Sequence, residues 1–103
     1  MDEIDECRVT ISDYAKRDLD AIYAYIAETL LEPGTALSLI DDIEKGILSL
    51  DTMPHRCPIR KIGAYANRGY RQLFVRNYTV LFRIDEKGKR VVIITVRYSQ
   101  RQF

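Results

Sequence analysis

Tryptophan is absent from this sequence, histidine occurs once, cysteine twice and proline three times in 103 residues. A lone His55 with no Cys or His at ligand spacing leaves no zinc arrangement and no Cys/His or Ser/His pair for nucleophilic catalysis. Cys7 and Cys57 stand far apart without a Cys-x-x-Cys pair, which reads as two reduced thiols of a cytoplasmic protein, a single bridge between them being the alternative. No Gly-rich phosphate loop, dinucleotide fingerprint, esterase elbow or His-Glu-x-x-His run occurs, so the commoner nucleotide, hydrolase and metalloprotease readings fall away. The longest aliphatic run, Val91 to Ile94, is far short of the roughly 20 residues that a membrane helix needs. The first residues, Met1-Asp2-Glu3-Ile4-Asp5-Glu6, are acidic where a secretory signal is basic and then apolar. With no repeat, low-complexity tract or Gly/Ser linker, the expectation is one domain over residues 1–103, with no metal, no cofactor and no membrane partner.

What is present is charge, and it is sorted by sign. Residues 1–55 carry 13 Asp or Glu against 4 Lys or Arg, while residues 56–103 carry 12 Lys or Arg against 2 acids, although the formal net charge is only +1. Twelve cations opposed locally by Asp85 and Glu86 alone create a positive potential that attracts polyanions. Function is therefore expected after Arg56.

The hydrophobic period changes at the same place. After a short alternating segment, Arg8-Val9-Thr10-Ile11, Ser12 is a helix cap, and Ala15, Leu19, Ile22, Tyr23, Ile26 and Leu30 recur at steps of three and four. Glu32-Pro33-Gly34-Thr35 interrupts this stripe, with Thr35 as a candidate cap. A second stripe then runs through Ala36, Leu37, Ile40, Ile43, Ile47 and Leu50. Gly46, inside that stripe, costs about 1 kcal/mol relative to Ala and marks a point of close approach. Met53-Pro54-His55-Arg56-Cys57-Pro58 stops the helix. Beyond it the period is two: 69–76 and 78–84 read as strands joined at Asn77, and 91–98 as a third strand after the turn 85–89. The expected architecture is α+β in the order β-α-α-β-β-β, an antiparallel sheet with a helical hairpin on one face.

Such a sheet leaves its other face for solvent or ligand. Tyr78, Val80, Phe82 and Ile84 share one parity and suit the helix-covered side, which puts Thr79, Leu81 and Arg83 on the open side. Arg97 and Tyr98 point to opposite faces, so one of them joins Arg83; the parity of Arg71 is not settled by counting.

The segments Val9-Thr10-Ile11-Ser12-Asp13-Tyr14-Ala15-Lys16-Arg17-Asp18-Leu19, Gly69-Tyr70-Arg71-Gln72-Leu73, Asn77-Tyr78-Thr79-Val80-Leu81-Phe82-Arg83 and Val96-Arg97-Tyr98-Ser99-Gln100-Arg101, around a helical hairpin and Pro54 to Pro58, resemble the RelE/ParE superfamily of type II toxin–antitoxin toxins over essentially the whole chain. The resemblance implies a growth inhibitor neutralised by a cognate antitoxin in a hetero-oligomer. It implies two targets: RelE-like members cut messenger RNA in the ribosomal A site without a metal, and ParE-like members poison DNA gyrase. The expectation favours the first, a ribosome-dependent mRNA endoribonuclease, because a basic half suits an RNA-rich target. Its site would be catalytic Arg71 and Arg101 with Tyr98 as acid, and Arg76, Arg83 and Arg97 on the RNA. Against the RelE pattern, a lysine position falls at Leu73 and an arginine position at Thr79, and Ser99-Gln100 stands in place of the His-Tyr ending of the YoeB-like members. Arginine clamps phosphate well but, staying protonated, accepts no proton.

Overall fold

A computed structural model describes residues 7–100 of the chain. The elements follow as β1 (Arg8–Ile11), α1 (Asp13–Ala24), α2 (Pro33–Leu48), β2 (Arg71–Val75), β3 (Tyr78–Asp85) and β4 (Arg90–Tyr98). Ser12 caps α1 as its residue type dictates, its side chain accepting from the Ala15 amide at 3.1 Å. The helix runs on into a wider π turn over Tyr25–Thr29, in which the Leu30 amide donates to the Tyr25 carbonyl at 3.0 Å. Leu31, at a φ of 58°, then reverses the chain. The second helix begins at Pro33, not at a Thr35 cap: proline has no amide to leave unpaired in the first turn and its φ is preset for a helix. Thr35 instead donates to the Glu32 carboxylate.

The two helices lie on one face of a four-stranded sheet of order β1-β4-β3-β2. The last three strands form the antiparallel meander that their short turns require, while β1 pairs parallel to β4, Arg8 with Arg90 through Ile11 with Ile93. The sheet is thus mixed, because a crossover through a helical hairpin brings β1 back in the same direction as β4. Ala15, Leu19, Ile26, Ala36, Leu39, Ile43, Ile47, Val80, Phe82, Val91, Ile93 and Val96 make the core between helices and sheet. Both helical stripes hold except at their outer ends: Leu30 and Leu37 are exposed, and Leu39 takes the buried place on α2. Among the described residues no helix is long and apolar enough to cross a membrane.

Gly46 is where α2 meets β2. A methyl group there would stand 2.8 Å from Val75 Cγ2 and 3.3 Å from Leu73 Cδ2, whereas nothing lies within 4 Å of the same position at Gly34. Gly46→Ala is expected to lower stability by about 1–2 kcal/mol, overpacking outweighing the gain in helix propensity. Gly34→Ala is expected to be neutral or mildly stabilising, and Gly46→Ala with Val75→Ala to recover part of the loss, all read by urea denaturation.

Only the first four residues of β4 have a β1 partner, so its outer edge from Ile94 onward needs another. The start of α1 supplies it. Ser12 Oγ donates to the Ile94 carbonyl at 3.1 Å, the Val96 amide donates to the Asp18 carboxylate at 3.0 Å, and the Thr95 hydroxyl donates to the same oxygen. Thr95 is fully buried, so Asp18→Ala strands two donors and is expected to cost about 1–2 kcal/mol in a denaturant titration. Asp18→Asn, which keeps one acceptor oxygen, is expected to lose less.

Candidate functional site

Register decides which face each cationic side chain occupies, since partners across a ladder point the same way. On β3, Tyr78, Val80, Phe82 and Ile84 belong to the helix-covered core and its margin. Thr79, Leu81 and Arg83 therefore face away from the helices. That face is not open at its centre: Thr79 and Leu81 are 1% and 0% exposed, and the Thr79 hydroxyl is hydrogen-bonded to Ser99 at 2.8 Å. Over its β2 side lies buried Arg60, which donates to the Gln72 side chain at 3.0 Å and to the Ile62 carbonyl at 3.0 Å.

The expected site residues do not converge. Arg71 pairs with Phe82, hence on the helix side, and its guanidinium donates to the Cys57 carbonyl at 2.6 Å and the His55 carbonyl at 3.3 Å. It ties down the loop after α2. Arg76 occupies the β2–β3 turn at a φ of 52° and reaches the helix layer, 2.9 Å from Ser38 Oγ and 2.5 Å from the Asp42 carboxylate. Tyr98 pairs with Tyr78 on the helix side, the rings edge to face at 5.5 Å between centroids. Arg97 pairs with Thr79, so it and not Tyr98 shares the face of Arg83. Its guanidinium is held by the Thr95 hydroxyl at 3.2 Å and the Tyr14 hydroxyl at 3.2 Å, with the Tyr14 ring 6.0 Å away. Arg83 is exposed. Arg101 lies outside the described residues.

The parity ambiguity of β4 has a structural origin. Thr95 opposes Leu81 and Ile93 opposes Phe82, so Ile94 is an extra residue, a bulge that shifts the alternation within an apolar run. The same alternation hides Arg8 and Arg90, which the charge split of the sequence did not single out. Arg8 pairs with Arg90, and Arg90 with Asp85, on the face that carries Arg83. The alternation of β1 exposes Arg8, but which strand it would join has no local signal.

The helix side presents a shallow open groove lined by Ile11, Leu19, Tyr23 and Ile40, with Lys16 and Glu44 at its rim. Its mixed charge gives a polyanion no purchase. His55 lies at the far end of β3, in contact with Glu86 at 2.8 Å. Among the described residues no three His, Cys, Asp or Glu side chains are grouped so as to hold a metal ion. Neither Cys7, half-buried, nor Cys57, buried, is in a disulfide, and burial pushes the Cys57 thiol above its ordinary value against the weaker opposing pull of Arg56 and Arg71. Cys57 is thus expected to alkylate more slowly than Cys7. Arg71→Ala, which releases the Cys57 carbonyl, is expected to raise the Cys57 rate about tenfold, as loss of a charge-assisted hydrogen bond of about 1.5 kcal/mol would make local opening easier. Mass spectrometry of iodoacetamide-treated protein reads both rates.

Comparison with known proteins agrees with this architecture. Residues 9–103 match the family described as the ParE toxin of the type II toxin–antitoxin system parDE. Among solved structures, a chain of the chromosomal ParDE system of P. aeruginosa superposes with a TM-score of 0.76 at 24% identity, over 92% of this chain and 98% of that one. The toxin–antitoxin complex RelBE2 of Mycobacterium tuberculosis gives 0.61 at 22% identity, over 95% of this chain and 97% of that one. A mutant of the E. coli toxin RelE in the free state gives 0.61 at 9% identity, over 92% and 85%. A search of curated proteins gives no match.

Proposed function

The chain belongs to the ParE toxin family of type II toxin–antitoxin systems, and from that premise we propose that it arrests growth by binding DNA gyrase as a protein poison, without cutting nucleic acid itself, and that a cognate antitoxin holds it inactive. The antitoxin follows from the family and from the fold shared with chains of the P. aeruginosa ParDE system and the M. tuberculosis RelBE2 complex. The choice of gyrase over the ribosome is carried by the dispersal of Arg71, Arg76 and Tyr98. Cleaving a phosphodiester requires charge stabilisation and proton transfer at one phosphate. Arg71 is committed to two backbone carbonyls and Arg76 to Asp42, while Tyr98 stands on the face opposite Arg83. Three residues of the nuclease site that the resemblance implies thus have other partners or face the other way, and none of these positions places a base beside the arginines on the other face.

Induction of the chain without antitoxin, with DNA synthesis and pulse-labelled translation followed separately, tests the proposal. DNA synthesis is expected to fall first, with double-strand breaks that disappear in cells carrying a toxin-resistant gyrase. Purified toxin is expected to inhibit supercoiling by purified gyrase. Early loss of translation with cut messages, and no effect on gyrase, would overturn the proposal in favour of the ribosome-dependent nuclease.

A further inference from the structure

Exposed positive charge is gathered at one end of the sheet, with cations from both halves of the chain. At the end of the sheet away from Tyr98, β1, β4 and β3 run side by side, and on the face away from the helices they carry Arg8, Arg90 and Asp85 in one row and Thr10, Val92 and Arg83 in the next. Neighbouring strands lie about 4.8 Å apart and successive rows about 6.7 Å, so three guanidinium stems rise within a patch that one polyanion strand can span. Arg8 and Arg83 are exposed, and their side chains make no hydrogen bond or ion pair among the described residues. Arg90 is held 3.1 Å from Asp85. That carboxyl also accepts from the Gly88 amide, and these contacts, with Arg83 nearby, keep it below the usual carboxylate range. One ionised acid against three arginines leaves a net excess of two positive charges.

We infer that this end of the sheet, through Arg8, Arg83 and Arg90, grips the phosphate backbone of duplex DNA. Two features favour a phosphate backbone over an acidic protein and a duplex over a single strand. Protein interfaces are anchored by buried aromatic and aliphatic side chains, and single-stranded nucleic acid is held by stacking on exposed aromatics. Among the described residues, none of the exposed large hydrophobics lies on β1, at Arg83–Asp85 or at Arg90–Val92; Tyr98 and Phe74 stand elsewhere on the sheet. What remains is charge without an apolar anchor, the composition of a backbone contact that positions without reading sequence. The choice of DNA over other duplexes rests on the proposal that the target is gyrase, an enzyme that works with DNA in its grasp. The toxin would then touch both the enzyme and the nucleic acid.

Fluorescence anisotropy of a labelled 20-base-pair DNA duplex, titrated with the full chain at several NaCl concentrations, tests the inference. Two to three phosphate contacts give a slope of log affinity on log salt of about −1.8 to −2.7, a loss of about ten- to fortyfold between 50 and 200 mM. Arg8→Ala and Arg83→Ala are each expected to make the slope shallower by about 0.9. Asp85→Asn, which frees Arg90, is expected to tighten binding, and Arg76→Ala, on the helix side and paired with Asp42, to leave it unchanged. Equal thermal melting of the variants separates these effects from misfolding. Wild-type slopes no steeper than those of Arg8→Ala with Arg83→Ala, or displacement of the duplex by poly-glutamate at a lower charge concentration than by unlabelled DNA, would overturn it; the second result would point to an acidic protein instead. Supercoiling assays on the same samples keep the two proposals apart. Intact gyrase inhibition with flat salt slopes sinks the DNA contact alone, and steep slopes with no gyrase inhibition sink the target alone.

Discussion

The sheet depends on how one exposed edge is closed. β4 is more than twice as long as β1, and the uncovered half of its edge would offer unpaired amides and carbonyls to any passing strand. Ser12 and Asp18, from the cap and the second turn of α1, satisfy the Ile94 carbonyl and the Val96 amide in place of the missing strand. This forces α1 to leave β1 at the point where pairing stops and to lie along the sheet. It also accommodates the bulge at Ile94, because Thr95, turned by that extra residue to the face of Leu81, finds the same carboxylate. The helix layer, the register of β4 and the face on which Arg97 emerges are all set by that one closure.

The redistribution of charge follows from the same frame. A chain divided into an acidic and a basic half invites the picture of a basic surface set against an acidic one, but folding interleaves them. Arg76 meets Asp42 across the layers, Arg97 is drawn to Tyr14 at the start of α1, and Arg71 and Arg56 are taken up by carbonyls of the segment between α2 and β2. Each of these contacts is worth about 1 kcal/mol or less where it is exposed, yet together they fix the direction of guanidinium groups that would otherwise add to a common field. Among the cations that escape are Arg8 and Arg83, beside the partly neutralised Arg90, on strands contributed by both halves.

Much of the fold is legible in the residues. The three- and four-residue recurrence of Ala15, Leu19 and Ile26 and of Ala36, Ile43 and Ile47 forms two helices with their faces to the core, Ser12 caps where its side chain can accept an amide, and the alternation of Tyr78, Val80, Phe82 and Ile84 names the covered face of β3. Gly46 marks a close approach because an added methyl group would crowd Val75. Less of the site was legible. Facing on β4 depends on a bulge inside Val91 to Val96, where every residue but one is apolar and the pattern has no contrast to read. The direction of Arg71 depends on a ladder position opposite Phe82, and the company of Arg8 on a parallel pairing between strands some eighty residues apart. Those are properties of long-range register, which local pattern does not encode.

The parallel join of β1 to β4 has a bearing on how the molecule comes into being. Synthesis proceeds from the N-terminus, and Val9 has no ladder partner until Val91 has left the ribosome. The helical hairpin therefore waits over an incomplete sheet, its apolar stripes without a floor, through nearly the whole of translation. A nascent chain interrupted anywhere before β4 lacks the central strand of the ladder, the acceptors that Ser12 and Arg8 need, and the arginine that stands beside Arg8. A chain cut short before β4 therefore cannot complete this sheet, and folding is committed only when β4 is in place.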